Sequence, residues 1–271
     1  MVTCKNCSTE YEGKYCPQCG QRAKVKRITT KAVFEEFRDR LIHIDSGFLY
    51  TFLQLLRRPG GMIREFIEGR RAPYTKPIKF LLWATALNFL VFHLIGLDKE
   101  ILDAVTQQQG QAVPSAGAKA FQAKFSQYIF DHPAIMIFLL IPNIAWCSWL
   151  FFRKSGFNYA EHFILNAYLM GAVSLFGIVL NPLTKFVGTG VGGLFAKTSV
   201  NVVLWMGYVG WGYIGFFRPE RRKWWCWLKA VLSIVAGYAM MIVAISILLM
   251  LFVLLFWPWV KPYFMGETLP G

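Results

Sequence analysis

Five stretches of this chain, roughly 78–97, 133–152, 163–181, 196–217 and 230–257, run almost free of charge over the span a membrane helix requires. That span is about 20 residues at 1.5 Å rise each, against a hydrocarbon layer of about 30 Å. Within such a layer every backbone N–H and C=O must be satisfied inside the segment, so each stretch can only be helical. The remaining composition agrees, because 55% hydrophobic and 16% charged residues in a 271-residue chain are too apolar a mixture for one soluble core. The expected fold is an all-α integral membrane protein with five transmembrane helices. The last run exceeds the layer and is expected to tilt or to extend past the headgroups. Pro142, inside the second run, predicts a kink whose freed backbone groups neighbouring helices re-satisfy. The first residues are polar and Cys-rich and have no signal-peptide character, so the run near Ile78 is expected to be an uncleaved signal anchor.

The 29 Lys and Arg residues avoid these runs and flank them. Residues 1–79 with the loops 153–162 and 218–229 carry 23, whereas the opposite side carries 6. This excess predicts a cytoplasmic N-terminus and an outer C-terminal tail over 258–271. Trp224, Trp225, Trp227, Trp257 and Trp259 fall at span ends, as an aromatic belt does. The basic groups Arg70, Arg71, Lys76 and Lys79, with Arg218, Arg221, Arg222 and Lys223, are expected beside the anionic inner-leaflet lipids.

Residues 1–27 hold four of the six cysteines and few apolar residues. Cys4-Lys-Asn-Cys7 and Cys16-Pro-Gln-Cys19 are two C-x-x-C knuckles separated by eight residues, each able to turn two thiolates toward one ion. Four thiolates make a closed tetrahedral site for structural Zn²⁺, and metal binding supplies the folding free energy that so small a segment cannot obtain from burial. A cytosolic location argues against disulfides, the close pairing of two motifs argues against a redox dithiol, and iron of the same geometry is the alternative ion. With all four positions taken by protein, no site is open for substrate. Cys147 and Cys226 stand alone and read as packing residues.

Residues 28–77 alternate apolar and charged positions at helical spacing and are expected to form cytoplasmic amphipathic helices. Phe34, Phe37, Leu41 and Ile44 make one stripe. Ser46 caps a second helix that Pro59-Gly60-Gly61 ends, and Met62 to Glu68 form a third, closed by Gly69-Arg70-Arg71.

The string Gly13-Lys-Tyr15-Cys16-Pro-Gln-Cys19-Gly20-Gln21, followed by Asp45, Thr51, Leu56, Pro59, Gly69-Arg70-Arg71, Tyr74 and Pro77, resembles an uncharacterised family of bacterial membrane proteins that join an N-terminal zinc ribbon to a multi-span domain. The resemblance covers mainly residues 1–95 and implies an architecture in the bacterial inner membrane, without implying a reaction. In topology alone, an amphipathic leader before five spans also looks like the Yip family of membrane proteins.

Chemistry-bearing motifs are sparse. Gly188, Gly190 and Gly193 satisfy G-x-G-x-x-G, but no strand precedes them and they are expected in an outer loop. Gly207, Gly210 and Gly215 share a broad face of the fourth run, where close helix packing is the plain reading and a homo-oligomer contact the sharper one. His93 and His132, near Asp98 and Asp131, could build an outer site. Glu161-His162, with Asn166 one turn on, marks either a polar pocket or a helix-start cap. No nucleophile elbow, H-E-x-x-H, Walker loop or paired membrane carboxylate occurs, so no enzymatic activity is expected. A membrane enzyme would have to use Glu161 and His162. The ribbon's basic tail has few interleaved aromatics, which disfavours nucleic acid. The leading expectation is a membrane adaptor whose ribbon and amphipathic helices engage a cytoplasmic protein partner. The alternative is a channel, transporter or lipid-handling subunit with Asn88, Asn143, Asn166 and Asn201 along a shared path.

Overall fold

The structure is a computed structural model, described for residues 1–25, 27–31, 47–96, 124, 127–128, 133–184, 190–219 and 223–255. The expected stripe of Phe34, Phe37, Leu41 and Ile44, most of the segment 98–132 with Asp98, Asp131 and His132, and the tail 258–271 lie outside those residues. The chain opens on a hairpin of β1 (Val2–Thr3) and β2 (Glu10–Tyr11), and the other elements among the described residues are helices. The helices are α1 (Gly47–Arg57), α2 (Pro59–Glu68), α3 (Pro77–Leu94), α4 (Pro133–Phe151), α5 (Tyr159–Thr184), α6 (Gly190–Phe217) and α7 (Lys223–Leu255).

Each of the five apolar runs lies on one helix, α3 to α7. Helices over Pro77–Leu94, Tyr159–Leu183 and Lys223–Phe252 are long and apolar enough to cross a membrane, and Met136–Phe151 is a shorter apolar helix. The chain is a membrane protein on this evidence. The helix starts differ from the hydropathy boundaries for physical reasons. Helix α5 begins four residues before the run at 163 because Asn158 and Glu161 form a reciprocal cap: Glu161 N–H donates to Asn158 Oδ1 at 2.9 Å, and Asn158 N–H donates to Glu161 Oε2 at 2.8 Å. At 33 residues α7 is about 50 Å long, so its Lys- and Trp-rich start extends beyond the hydrocarbon.

Helix α1 stops at Arg57, just before Pro59-Gly60-Gly61 as expected, and the same three residues open α2, which begins three residues before the expected Met62. Proline at the first helical position loses no hydrogen bond, since that N–H is unpaired in any helix. The glycines serve a crossing. A Cβ on Gly60 would lie 2.1 Å from the Gly212 carbonyl oxygen and 2.2 Å from the Phe216 nitrogen, so the backbones of α2 and α6 touch there. Gly190 and Gly193, expected in a loop, lie in the first turn of α6.

Helix α5 is the centre, with 61% of its apolar window buried against 11% for α7. It packs along α3 and touches α1, α2, α4 and α6, while α7 lies against α4 and α6. Close approaches carry this packing: Gly171 of α5 faces the Phe80 ring, and Gly237 of α7 faces the Ile144 backbone. In lipid, where apolar burial gives little preference between helix and solvent, such close contact is what holds helices together. The outer side of α7, including Ile242, Ile247, Leu248 and Leu254, is exposed apolar surface of the kind a bilayer covers.

Candidate metal centre and buried polar cluster

The hairpin register, Val2 opposite Tyr11 and Thr3 opposite Glu10, places Cys4-Lys-Asn-Cys7 in its turn. The second knuckle is closed by a bridge between Tyr15 and Arg22. The two knuckles repeat one backbone design. Cys4 N donates to Thr9 O and Cys16 N to Gln21 O, while Ser8 N returns to Cys4 O and Gly20 N to Cys16 O. Each turn needs a left-handed residue at its fourth step, Ser8 at φ 61° and Gly20 at φ 69°.

This design gathers the four thiols so that their sulfurs all lie within 4.8 Å of one another. Cys4 and Cys19 sulfurs are 3.5 Å apart, as are those of Cys7 and Cys16. Four ligands at about 2.3 Å from a central ion would stand about 3.8 Å apart, whereas a disulfide needs about 2.05 Å. The spacing therefore suits a shared metal ion. Hydrogen bonds from the Thr9 hydroxyl and amide hold the Cys7 thiol down to about 6, and burial pushes Cys16 up to about 11. The cluster is short of positive charge for four thiolates, which a divalent cation supplies.

The ribbon is clasped to the helices. Gln21 is buried and uses both halves of its amide: Nε2 donates to Gly69 O at 3.0 Å, and Oε1 accepts from the Arg71 and Ala72 amides, both at 3.1 Å. Its receptor is the loop after α2, where Gly69 at φ 119° takes N–H bonds to Glu65 O and Phe66 O that close the helix. Glu65 anchors this loop by accepting from Arg58, Arg70 and the Tyr74 hydroxyl. Burial works against its charge, but these donors outweigh it and hold the carboxyl below the usual range. A second clasp joins the ribbon's tail to α5. Arg27 pairs with both Glu161 oxygens at 2.8 and 2.9 Å and donates to Gly156 O, while Asn158 Nδ2 donates to Ile28 O.

Glu161 is thus both a helix cap and an ion-pair partner, and its neighbour His162 enters different surroundings. His162 Nδ1 lies 2.8 Å from Ser148 Oγ. Asn166 Nδ2 donates to Ser148 Oγ at 3.3 Å and to His162 O at 2.8 Å, and its Oδ1 accepts from Tyr213 at 2.8 Å. All four side chains are fully buried, and His162 Nε2 has no partner among the described residues. A proton on Nδ1, directed to Ser148, leaves Nε2 as a buried acceptor. The network ties α4, α5 and α6 together. Sequence reasoning picked out His162 and Asn166 but missed Ser148 and Tyr213, because a hydroxyl in an apolar run carries no spacing signal.

Asn88 and Asn143 lie apart from this network, and no partner is seen for Asn201 among the described residues. Asn88 Oδ1 accepts from Asn181 at 3.2 Å, and Asn143 turns back to Leu139 O on its own helix. His93 stacks on Phe89 with centroids 6.2 Å apart. On the small-residue face of α6, Gly210 meets Trp227 and Gly215 meets Gly60, while nothing lies within 4 Å of a Cβ on Gly207.

Residues 45–89 match a family model described as a protein of unknown function (DUF3667). The matched stretch contains α1, α2, the loop that Gln21 clasps and most of α3. No curated protein and no solved structure matches the chain.

Proposed function

We propose that the chain is a non-enzymatic scaffold of the bacterial cytoplasmic membrane, in which a zinc-organised ribbon and helices α1 and α2 form a platform for a cytoplasmic protein partner. The observation that carries this reading is the pairing of an all-thiol cluster within 4.8 Å with a clasp, through Gln21 and Arg27, to the helical body. Four thiolates with no open position suit Zn²⁺ in a structural role, and a reducing compartment keeps them free of disulfides. A ribbon serving only its own fold would not need to be locked to two separate loops. A platform that presents one fixed surface would.

The five apolar helices supply five spans in this reading. The excess of Lys and Arg around the ribbon end supports a cytoplasmic N-terminus and an outer C-terminus. The test is affinity purification of the detergent-solubilised protein beside a variant carrying Cys16→Ser and Cys19→Ser, reading metal content and co-purifying proteins from both. One zinc per chain with a partner lost in the variant supports the scaffold. Zinc without any partner above background overturns it.

A further inference from the structure

At the ribbon end of the bundle an open cleft of about 620 Å³ is lined by Arg64 of α2, by Phe152 and Phe157 between α4 and α5, by Phe217 at the end of α6, and by Trp225 and Lys229 of α7. Its walls are aromatic: the Phe152 and Phe217 rings stack at 4.2 Å and 6°, and Phe157 stands edge-on to Phe217 at 5.8 Å. Among the described residues no carboxylate lines it. Arg64 is held in place, with Nε donating to Glu68 at 2.8 Å and Nη1 to Phe216 O at 3.1 Å, which leaves Nη2 without a partner among the described residues. Lys229 Nζ stands 5.7 Å from the Phe152 centroid and has no ion-pair partner among the described residues. Glu68 offsets Arg64, so among the described lining residues the cleft keeps the positive charge of Lys229, an exposed ammonium beside the Phe152 ring that attracts an anion.

We propose that this cleft binds an anionic phospholipid, its phosphate against Arg64 and Lys229 and its glycerol and upper acyl carbons along Phe152, Phe157, Phe217 and Trp225. The occupant follows from charge and position together. Trp224 and Trp225, stacked at 4.2 Å at the start of α7, are both exposed, as residues at headgroup level are. From there α7 continues as exposed apolar surface through Leu232 and Val235, giving an acyl chain a path into the bilayer. A free anion would need the cations but not the rings or the apolar path.

The test uses the full chain in neutral detergent, with native mass spectrometry of bound phosphatidylglycerol, phosphatidylcholine and inorganic phosphate. Lys229→Gln and Arg64→Gln are compared with Arg57→Gln, an exposed cation on α1 that does not line the cleft. Phosphatidylglycerol should bind in preference to phosphatidylcholine, and each cleft variant should weaken it by about fivefold while Arg57→Gln leaves it unchanged. Because Arg64 also braces α6, Lys229→Gln with an unchanged melting temperature is the variant that decides. Equal weakening by Arg57→Gln, no preference between the two lipids, or inorganic phosphate binding as tightly as the lipid would each overturn the proposal.

Discussion

Gln21 shows how one side chain can join two parts of a molecule. Its amide closes three hydrogen bonds to the loop after α2, and no apolar residue of the same length can replace them. Net contributions of about 1 kcal/mol per bond make Gln21→Leu costly by about 2–3 kcal/mol in denaturant titration of the solubilised protein. A loss below about 0.5 kcal/mol would mean that the clasp is not formed. Glu65 adds a pH dependence. Because its folded value lies below the ordinary one, its contribution is present above about pH 4.3 and lost as pH falls through the lowered value. In Glu65→Gln that acid-side loss of melting temperature should shrink. The thiol cluster was legible from the sequence because ligand chemistry fixes residue type and spacing together. Gln21 was not legible, because an amide's role depends on which backbone faces it 48 residues away.

The crossing of α2 over α6 sets the geometry of the platform at the level of elements. Gly60→Ala would drive a methyl into backbone that cannot move without shifting a helix, which predicts a loss of about 3 kcal/mol or more, or failure to fold. Gly207→Ala, with open space at its Cβ, should be neutral or slightly stabilising, as alanine favours helix. A Gly207→Ala variant that changes the oligomeric state in light scattering would support the homo-oligomer reading of that face. The apolar runs announced α3 to α7 because hydropathy over about 20 residues has few other meanings in water-excluded surroundings. The end of α1 before Pro59 was legible, but the start of α2 at the same residues was not, since Pro-Gly-Gly breaks a helix unless its first residue sits where no hydrogen bond is lost. The cap at Glu161-His162 was one of the two readings of that pair, but its partners Asn158 and Arg27, and Ser148 beside His162, carry no spacing signal.

At the scale of the whole molecule the ribbon is tied to the helical body through Gln21, Arg27 and Ile28, with its four thiols spaced for a metal ion. Composition alone suggested a cytoplasmic module on a membrane anchor, and nothing in the spacing of the cysteines signalled that the two would be locked together. The clasp makes metal occupancy and order in the loop after α2 a single property, because the ribbon has only the small core of Cys4, Tyr11 and Cys16 without the ion. Amide hydrogen exchange of the purified full chain, before and after chelation, tests this most directly at Arg71 and Ala72, whose N–H groups donate to Gln21. The account predicts that both amides are protected in the metal-loaded protein and lose that protection on chelation, while those of α5 keep theirs. Unchanged protection of Arg71 and Ala72 after the metal is stripped would contradict it.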